Sequence, residues 1–290
     1  MLNQGQCVLC GLPADVGELC QTSFAQIVRC NACGIVRTWP PRSAEELAAL
    51  HTSDTYFQHR YFETRRQVGR EALRRRYRRI IALLSDGYRG NGRRLLDVGC
   101  DTGALLVVAR DDFGLAVTGV DVSPRAAEVA RRVHGVDVLV GDVNGLDVPD
   151  GTFDFITLAD VVEHAADPIA LMGAARRLLR TGGRLYVATS DHDALINRVA
   201  LLLYGVAGPR SWPILERLYI PYHEFYFTRA TLARAVTQAG LEIRCHRSRE
   251  FPLDEFRHGL LLKLGLMAVF PLQWVFGRQT LQELVATKVA

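Results

Sequence analysis

Between residues 94 and 190, short apolar runs alternate with segments whose apolar positions recur at helical spacing. The runs Arg94–Val98, Ala116–Asp121, Val136–Val140, Phe153–Leu158 and Arg184–Thr189 have the length and β-branched content of buried strands. Between them, Ala104–Arg110, Arg125–Val133 and Ile169–Leu179 read as helices. The second begins at Ser123-Pro124, where proline sits in a first turn whose N–H groups lack helical partners. Thr181-Gly182-Gly183 is the turn before the last run. This alternation predicts a parallel sheet with helices on both faces.

The flanks are patterned differently. Residues 1–40 are rich in Cys and Gly, show little apolar periodicity and end at Trp39-Pro40-Pro41. Ser43 and Glu46 read as a capping box opening a helix. A second helix is predicted from about Tyr61 to Leu84, with Val68, Ala72, Leu73, Tyr77, Ile80, Ile81 and Leu84 as its apolar stripe. Its other face carries Arg65, Arg66, Arg70, Arg74, Arg75, Arg78 and Arg79. Gly87–Gly92 is a turn-rich linker. Downstream, 191–220 reads as helical and apolar. Thr228 caps a helix Arg229–Ala239 closed by Gly240, and Leu241–Arg247 with Thr280–Val289 forms a last strand pair. The expected organisation is a module over 1–41, a helical linker or cap over 42–92, and an α/β domain over 93–290 with an apolar insertion at 252–279.

Composition changes this picture little. The 290 residues are 49% hydrophobic with a net charge of +4, which by itself calls for neither disorder nor nucleic acid. There is no repeat and no low-complexity tract. The start Met1-Leu2-Asn3-Gln4-Gly5 is not that of a secretory signal. In the apolar stretch Gly259–Gly277, Lys263 and Pro271 leave an uninterrupted part well short of the roughly 20 residues of a membrane span. Two short buried or interfacial helices fit it better, covering the pocket, forming a dimer face or touching a membrane.

Seven cysteines are an odd number, and two pairs stand out: Cys7-x-x-Cys10 and Cys30-x-x-Cys33. Gly11 and Gly34 follow them and relieve the tight turn by which two thiolates converge. Four sulfurs suit tetrahedral Zn²⁺ with no open position, hence a structural site, and their use for metal rather than disulfides predicts a reducing cytoplasm. Cys20, Cys100 and Cys245 read as buried thiols.

In an open parallel sheet, ligands bind beyond the carboxyl ends of the strands. Four features fall there: Asp97-Val98-Gly99-Cys100-Asp101-Thr102-Gly103, Asp121, Gly141-Asp142-Val143, and Ala159–His164. Glycines let the first loop turn tightly against a ligand. A carboxylate at Asp121 can accept both hydroxyls of a ribose. Asp142 can accept from an adenine amino group. These features, with Val162-Glu163-His164-Ala165-Ala166-Asp167-Pro168, resemble the class I S-adenosylmethionine-dependent methyltransferases over roughly Leu95–Thr189.

The resemblance implies a Rossmann-like, doubly wound, mainly parallel seven-stranded α/β sheet. It implies that Gly99 and Gly103 line the methionine part of S-adenosylmethionine, that Asp121 holds ribose, and that Asp97, Cys100 and Val122 also belong to the cofactor site. Asp142 with Val143 would hold adenine, and Asp160 with Val161 would close the pocket. Where the family usually has glycine this chain has Asp101, a residue type that tolerates left-handed backbone better than most. A dinucleotide fingerprint G-x-G-x-x-G does not fit Gly99 and Gly103.

Methylating a hydroxyl requires removal of its proton, most often by histidine. His164 follows the fourth strand. His223 lies in Pro221-Tyr222-His223-Glu224-Phe225-Tyr226-Phe227-Thr228, which resembles a His-x-x-x-Phe-Thr stretch of many family members on the acceptor side. Either histidine could instead only support its loop. Asp160, Glu163 and His164 together resemble an acidic-acidic-His pattern of quinone-biosynthesis O-methyltransferases that can hold Mg²⁺. The segment Arg29–Val36 with Tyr56 and Tyr61-Phe62 looks like the start of small-molecule and sugar methyltransferases, including nucleotide-sugar C-methyltransferases. A ribosomal RNA guanine methyltransferase also carries a zinc module. The sequence therefore predicts a methyltransferase acting on a small-molecule hydroxyl of a natural product, sugar or lipid-linked compound. The alternatives are an RNA methyltransferase using the zinc module and arginine helix, a nucleotide-sugar C-methyltransferase, or a non-catalytic module that keeps the fold.

Overall fold

The first forty residues, which carry no clear periodicity, nevertheless form strands β1 (Val16–Gln21), β2 (Gln26–Cys30) and β3 (Val36–Trp39). They pair antiparallel in chain order, with a bulge between Glu18 and Cys20. Strands this short, one of them bulged, hide the alternation that would reveal them. The computed structural model describes residues 5–52, 70–87, 89, 92–208, 215–216, 218–250 and 271–289. Helix α1 (Ala44–Thr52) opens on the expected capping box, with Ser43 N–H donating to Glu46 Oε2 at 2.6 Å and Glu46 N–H to Ser43 Oγ at 3.1 Å. The arginine-rich helix is described as α2 (Arg70–Ser85), and its predicted start at Tyr61 lies outside the described residues.

The alternating region follows as β4 (Arg94–Val98), α3 (Ala104–Phe113), β5 (Ala116–Asp121), α4 (Pro124–His134), β6 (Asp137–Val140), β7 (Phe153–Ala159), α5 (Pro168–Leu178) and β8 (Leu179–Ser190). Then come α6 (Leu195–Ala207), β9 (Phe225–Tyr226), α7 (Arg229–Gln238), β10 (Glu242–Arg249) and β11 (Leu281–Thr287). The seven-stranded sheet runs β10-β11-β8-β7-β4-β5-β6. Strands β4 to β8 are parallel, while β11 and β10 join antiparallel. The chain winds outward from β4 through β5 to β6, then crosses to β7 on β4's other side. That switch point opens a crevice at the carboxyl ends of β4, β5 and β7.

Neighbouring residues of each strand serve opposite faces. Leu95, Phe155, Tyr186 and Val285 pack with Tyr77, Ile80, Ile81 and Leu84 of α2, and with α3 and α4. Leu96, Ile156, Leu185 and Leu284 pack with α5, α7, Phe225 and Phe227. Cys7, Leu9, Cys30 and Ile35 belong to this second core, so the cysteine module is fused to the sheet domain by shared burial. Strand β9 stands apart from the seven-stranded sheet. It joins the N-terminal sheet in the order β1-β2-β3-β9.

Four arginines of α2 form ion pairs within the chain. Arg74 and Arg78 pair with Asp112, Arg76 with Asp160 at 2.8 Å, and Arg79 with Glu283 at 2.6 Å. Among the described residues no helix is long and apolar enough to cross a membrane. Residues 252–270 of the apolar insertion lie outside the described residues, and 271–275 are helical.

Candidate functional site

The loop after β4 turns through left-handed backbone at Gly99 (φ 69°), Asp101 (φ 48°) and Gly103 (φ 82°). Asp101 therefore keeps the turn expected of a glycine there. A Cβ on Gly99 would lie 2.7 Å from Val161 Cγ2, so only glycine lets these two strand-end loops approach. Gly103 does a different job: its Cβ would meet Val136 Cγ2 at 3.0 Å and Ala130 Cβ at 3.2 Å. It allows α3 to pack against α4 and touches neither cavity described below. Gly119 on β5 was not singled out by sequence, yet a Cβ there would come 2.5 Å from Cys100 Sγ.

Asp121 ends β5 and ties two loops together. Its Oδ2 accepts from Asp101 N–H at 2.8 Å and its Oδ1 from Ser123 N–H at 2.9 Å. Burial pushes its pKa above the ordinary value despite these two donors. Asp142 is exposed and accepts from Asn144 N–H at 2.7 Å, with Val143 buried behind it. Asp160, at φ 60°, pairs with Arg76 from α2.

Gly99, Asp121, Val122, Asp142, Val143, Asp160, Val161 and His164 line one side of a cavity of about 770 Å³. Its far wall comes from the N-terminal module and α1, through Cys7, Val8, Ile35, Trp39, Pro41 and Leu47. A pocket of about 30 Å³ on the other side of the glycine loop is lined by Asp97, Gly99 and Cys100, together with Tyr77 of α2.

Behind His164 the structure gathers Glu163, His164 and His223, whose donor atoms all lie within 4.8 Å of one another. His223, not Asp160, completes the group with Glu163 and His164, because Arg76 holds the Asp160 carboxylate. The two imidazoles meet edge to face at 4.8 Å. His164 lines the cavity, whereas His223 is buried behind it. His164 Nδ1 lies 2.9 Å from the Tyr222 carbonyl oxygen. A carbonyl only accepts, so Nδ1 carries the proton and the lone pair is on Nε2. Burial lowers the His164 pKa, which keeps the ring neutral near pH 7.

Glu163 is buried, and its Oε2 finds no hydrogen-bond partner among the described residues. Burial, reinforced by the Asp160 charge, pushes its pKa from 4.5 up to about 8. The folded state therefore holds this proton more tightly than the unfolded chain. That stabilisation is fully present below pH 4.5 and is lost as pH rises to about 8. In urea unfolding at pH 5 and pH 9, wild type should lose on the order of 3 kcal/mol more stability than Glu163→Gln. Parallel pH dependences of the two proteins would rule out Glu163 as the source.

The four paired cysteines converge as their spacing predicts. Cys7 Sγ lies 3.5 Å from Cys33 Sγ, and Cys10 Sγ 3.9 Å from Cys30 Sγ. An ion bound tetrahedrally at about 2.3 Å from each sulfur holds them roughly 3.8 Å apart. The donor set therefore fits a tetrahedral, thiolate-binding ion.

Comparison with known proteins follows the geometry. The pattern of the methyltransferase-domain family matches residues 69–246. A ubiquinone biosynthesis O-methyltransferase of Thiobacillus denitrificans is 34% identical over 158 residues, covering 52% of this chain and 65% of that protein. The enzyme of the same description from Xanthomonas oryzae pv. oryzae (strain PXO99A) is 40% identical over 105 residues, covering 34% of this chain and 43% of its own length. The chain thus spans less than two thirds of these relatives. Among solved structures, a chain of the complex between the Haloferax volcanii Trm112 methyltransferase activator and a methyltransferase has a TM-score of 0.57 at 20% identity, covering 84% of this chain and 98% of its own. A Thermotoga maritima S-adenosylmethionine-dependent methyltransferase has a TM-score of 0.55 at 20% identity, covering 83% of this chain and 99% of its own. At such identities the structures show a shared fold.

Proposed function

Since this chain belongs to the methyltransferase-domain family, we propose that it methylates a hydroxyl oxygen of an apolar small molecule, using S-adenosylmethionine. The observation that carries this reading is the placement of His164. It stands in the wall of a cavity bounded on one side by the strand-end loops and on the other by the N-terminal module and α1, where Val8, Ile35, Trp39 and Leu47 stand beside Arg37, Arg42 and Glu45. Asp121 and Val122 are assigned to ribose, Asp142 and Val143 to adenine, and Asp97, Gly99 and Cys100 to the methionine part. Asp160 and Val161 border the transfer point. The positions of Gly99, Asp121 and Val122 in the cavity lining, and the exposed edge of Asp142, fit such a ligand. When bound, S-adenosylmethionine supplies an electrophilic methyl group.

The chain's own contribution is then positioning and one proton transfer. His164 Nε2 accepts the proton of the acceptor hydroxyl as its oxygen becomes the nucleophile. The Tyr222 carbonyl, accepting from Nδ1–H, holds the ring in the tautomer that this requires. His223 packs on the His164 ring and fixes its plane. In the N-terminal module, Cys7, Cys10, Cys30 and Cys33 would hold Zn²⁺ with no open position, a structural role.

Two observations weigh against an RNA acceptor. Arg74, Arg76, Arg78 and Arg79 of the arginine helix are paired within the chain. The cysteine module turns Cys7 and Ile35 toward the cavity. The test incubates the protein and methyl-labelled S-adenosylmethionine with a panel of phenols, hydroxylated lipids and total RNA. Label should enter the organic-soluble products, and His164→Ala should slow it roughly 10²- to 10⁴-fold. Label in RNA, with binding that weakens steeply in salt, would overturn the reading.

A further inference from the structure

We propose that the cysteine module is a working half of the acceptor site, and that Glu224 is the positioning residue through which it sets His223. This rests on the reading of His164 and His223 given above, and extends it to residues that no comparison marks.

The physical link begins at the second cysteine pair. Cys30 N–H donates to the Ile35 carbonyl at 2.9 Å, closing the knuckle, and β3 starts at the next residue, Val36. Strand β3 then takes β9 as its neighbour, pairing Val36 with Tyr226 and Arg37 with Phe225. The segment that carries His223 is thus hydrogen-bonded to the cysteine module, although it lies nearly two hundred residues away in sequence. Thr38 extends the ladder: its N–H donates to the Glu224 carbonyl at 3.0 Å and its hydroxyl to the His223 carbonyl at 2.8 Å.

Glu224 has no exposed surface. Arg37 Nη2 donates to its Oε1 at 2.6 Å and Arg42 Nε to its Oε2 at 3.2 Å. Arg42 also donates from Nη1 to the Pro221 carbonyl at 2.8 Å and from Nη2 to the His223 carbonyl at 3.1 Å. On the opposite side, Glu224 N–H donates to the Glu163 carbonyl at 2.7 Å. Glu224 therefore joins three parts: its buried carboxylate holds β3 through Arg37 and the approach to α1 through Arg42, and its backbone N–H holds the strand-end turn that bears His164. Paired buried charges tolerate little displacement, because moving one leaves the other uncompensated. The geometry suits a device that transmits the folded state of the cysteine module to the histidine pair.

The experiment uses the full chain loaded with Zn²⁺, the same chain after chelation, and the variants Thr38→Val and Glu224→Gln. Three quantities are read. They are the side-chain nitrogen and proton NMR signals of His164 and His223, the rate at which diethyl pyrocarbonate modifies each histidine as mapped by mass spectrometry, and S-adenosylmethionine affinity by calorimetry. Glu224→Gln and chelation should each move the signals of both rings and speed modification of His223 at least 10-fold. Affinity for S-adenosylmethionine should stay within about threefold. Thr38→Val removes one hydroxyl from a folded chain and should shift His223 alone, so it decides the matter even where Glu224→Gln destabilises the module. The proposal is overturned if chelation disperses the module's own backbone signals while His164 and His223 keep their signals and protection. It is equally overturned if Thr38→Val and Glu224→Gln leave both rings unmoved. If the rings move as expected but His164→Ala leaves methyl transfer unchanged, the positioning stands and the assignment of His164 as base fails.

Discussion

Replacing Cys30 by serine is expected to strip the N-terminal module of metal and to lower the melting temperature of the whole chain. Wild type should carry about one zinc per chain, bound by four thiolates. A serine hydroxyl does not ionise near neutral pH, so the remaining three sulfurs cannot complete the tetrahedron. The binding free energy of a structural zinc, ~10–16 kcal/mol in small modules, is largely spent on folding the segment that binds it. Three strands of four to six residues cannot replace that contribution on their own. The damage should spread, because Cys30 and Ile35 are buried in the same core as Leu96, Ile156 and Phe225. A net loss of ~4 kcal/mol lowers Tm by roughly 10 °C in a chain of this size. Metal analysis with differential scanning calorimetry measures both effects. A variant that keeps its zinc, or that melts with wild type, would show that the four sulfurs do not act together.

Asp121→Ala should weaken S-adenosylmethionine binding by roughly 10²- to 10⁴-fold. The carboxylate organises the glycine loop through Asp101 N–H and the start of α4 through Ser123 N–H before any ligand arrives. Removing it deletes both anchors and, on the proposed assignment, the acceptor for the ribose hydroxyls. Each hydrogen bond to a charged group contributes ~1.5–3 kcal/mol, so two such losses amount to ~3–6 kcal/mol. Asp142→Ala should cost only about tenfold, since its carboxylate is exposed and bonds locally to Asn144. Isothermal titration with S-adenosylmethionine separates the two. Equal affinities for Asp121→Ala and wild type would remove Asp121 from the site.

The candidate cofactor positions were legible as strand ends because each of these residues is local. Gly99, Asp121, Asp142 and Asp160 sit at the ends of strands that announce themselves by apolar runs, so finding the strand finds the residue. Asp101 could be read as a left-handed turn residue for the same reason. The acceptor half was not legible in that way. Arg76 was not singled out in the arginine-rich helix, and nothing in its spacing shows that it reaches Asp160. Glu224 stands in the sequence only as one residue of the segment around His223. Its burial depends on Arg37 and Arg42, which are distant in sequence. Gly103 reads as a loop glycine, and only the fold shows that a side chain there would meet Val136 and Ala130.

The sequence by itself determined the doubly wound core, the order of its strand-end loops, the convergence of the two cysteine pairs and the presence of two candidate histidines. Those features follow from periodicity and short-range spacing, which local stereochemistry converts directly into structure. Only the tertiary structure decided that β9 pairs with the N-terminal sheet, that His164 faces the cavity with His223 behind it, and that the cysteine module forms the cavity's far wall. These depend on contacts between segments up to about two hundred residues apart. A short strand such as Phe225–Tyr226 carries too little pattern of its own to name its partner.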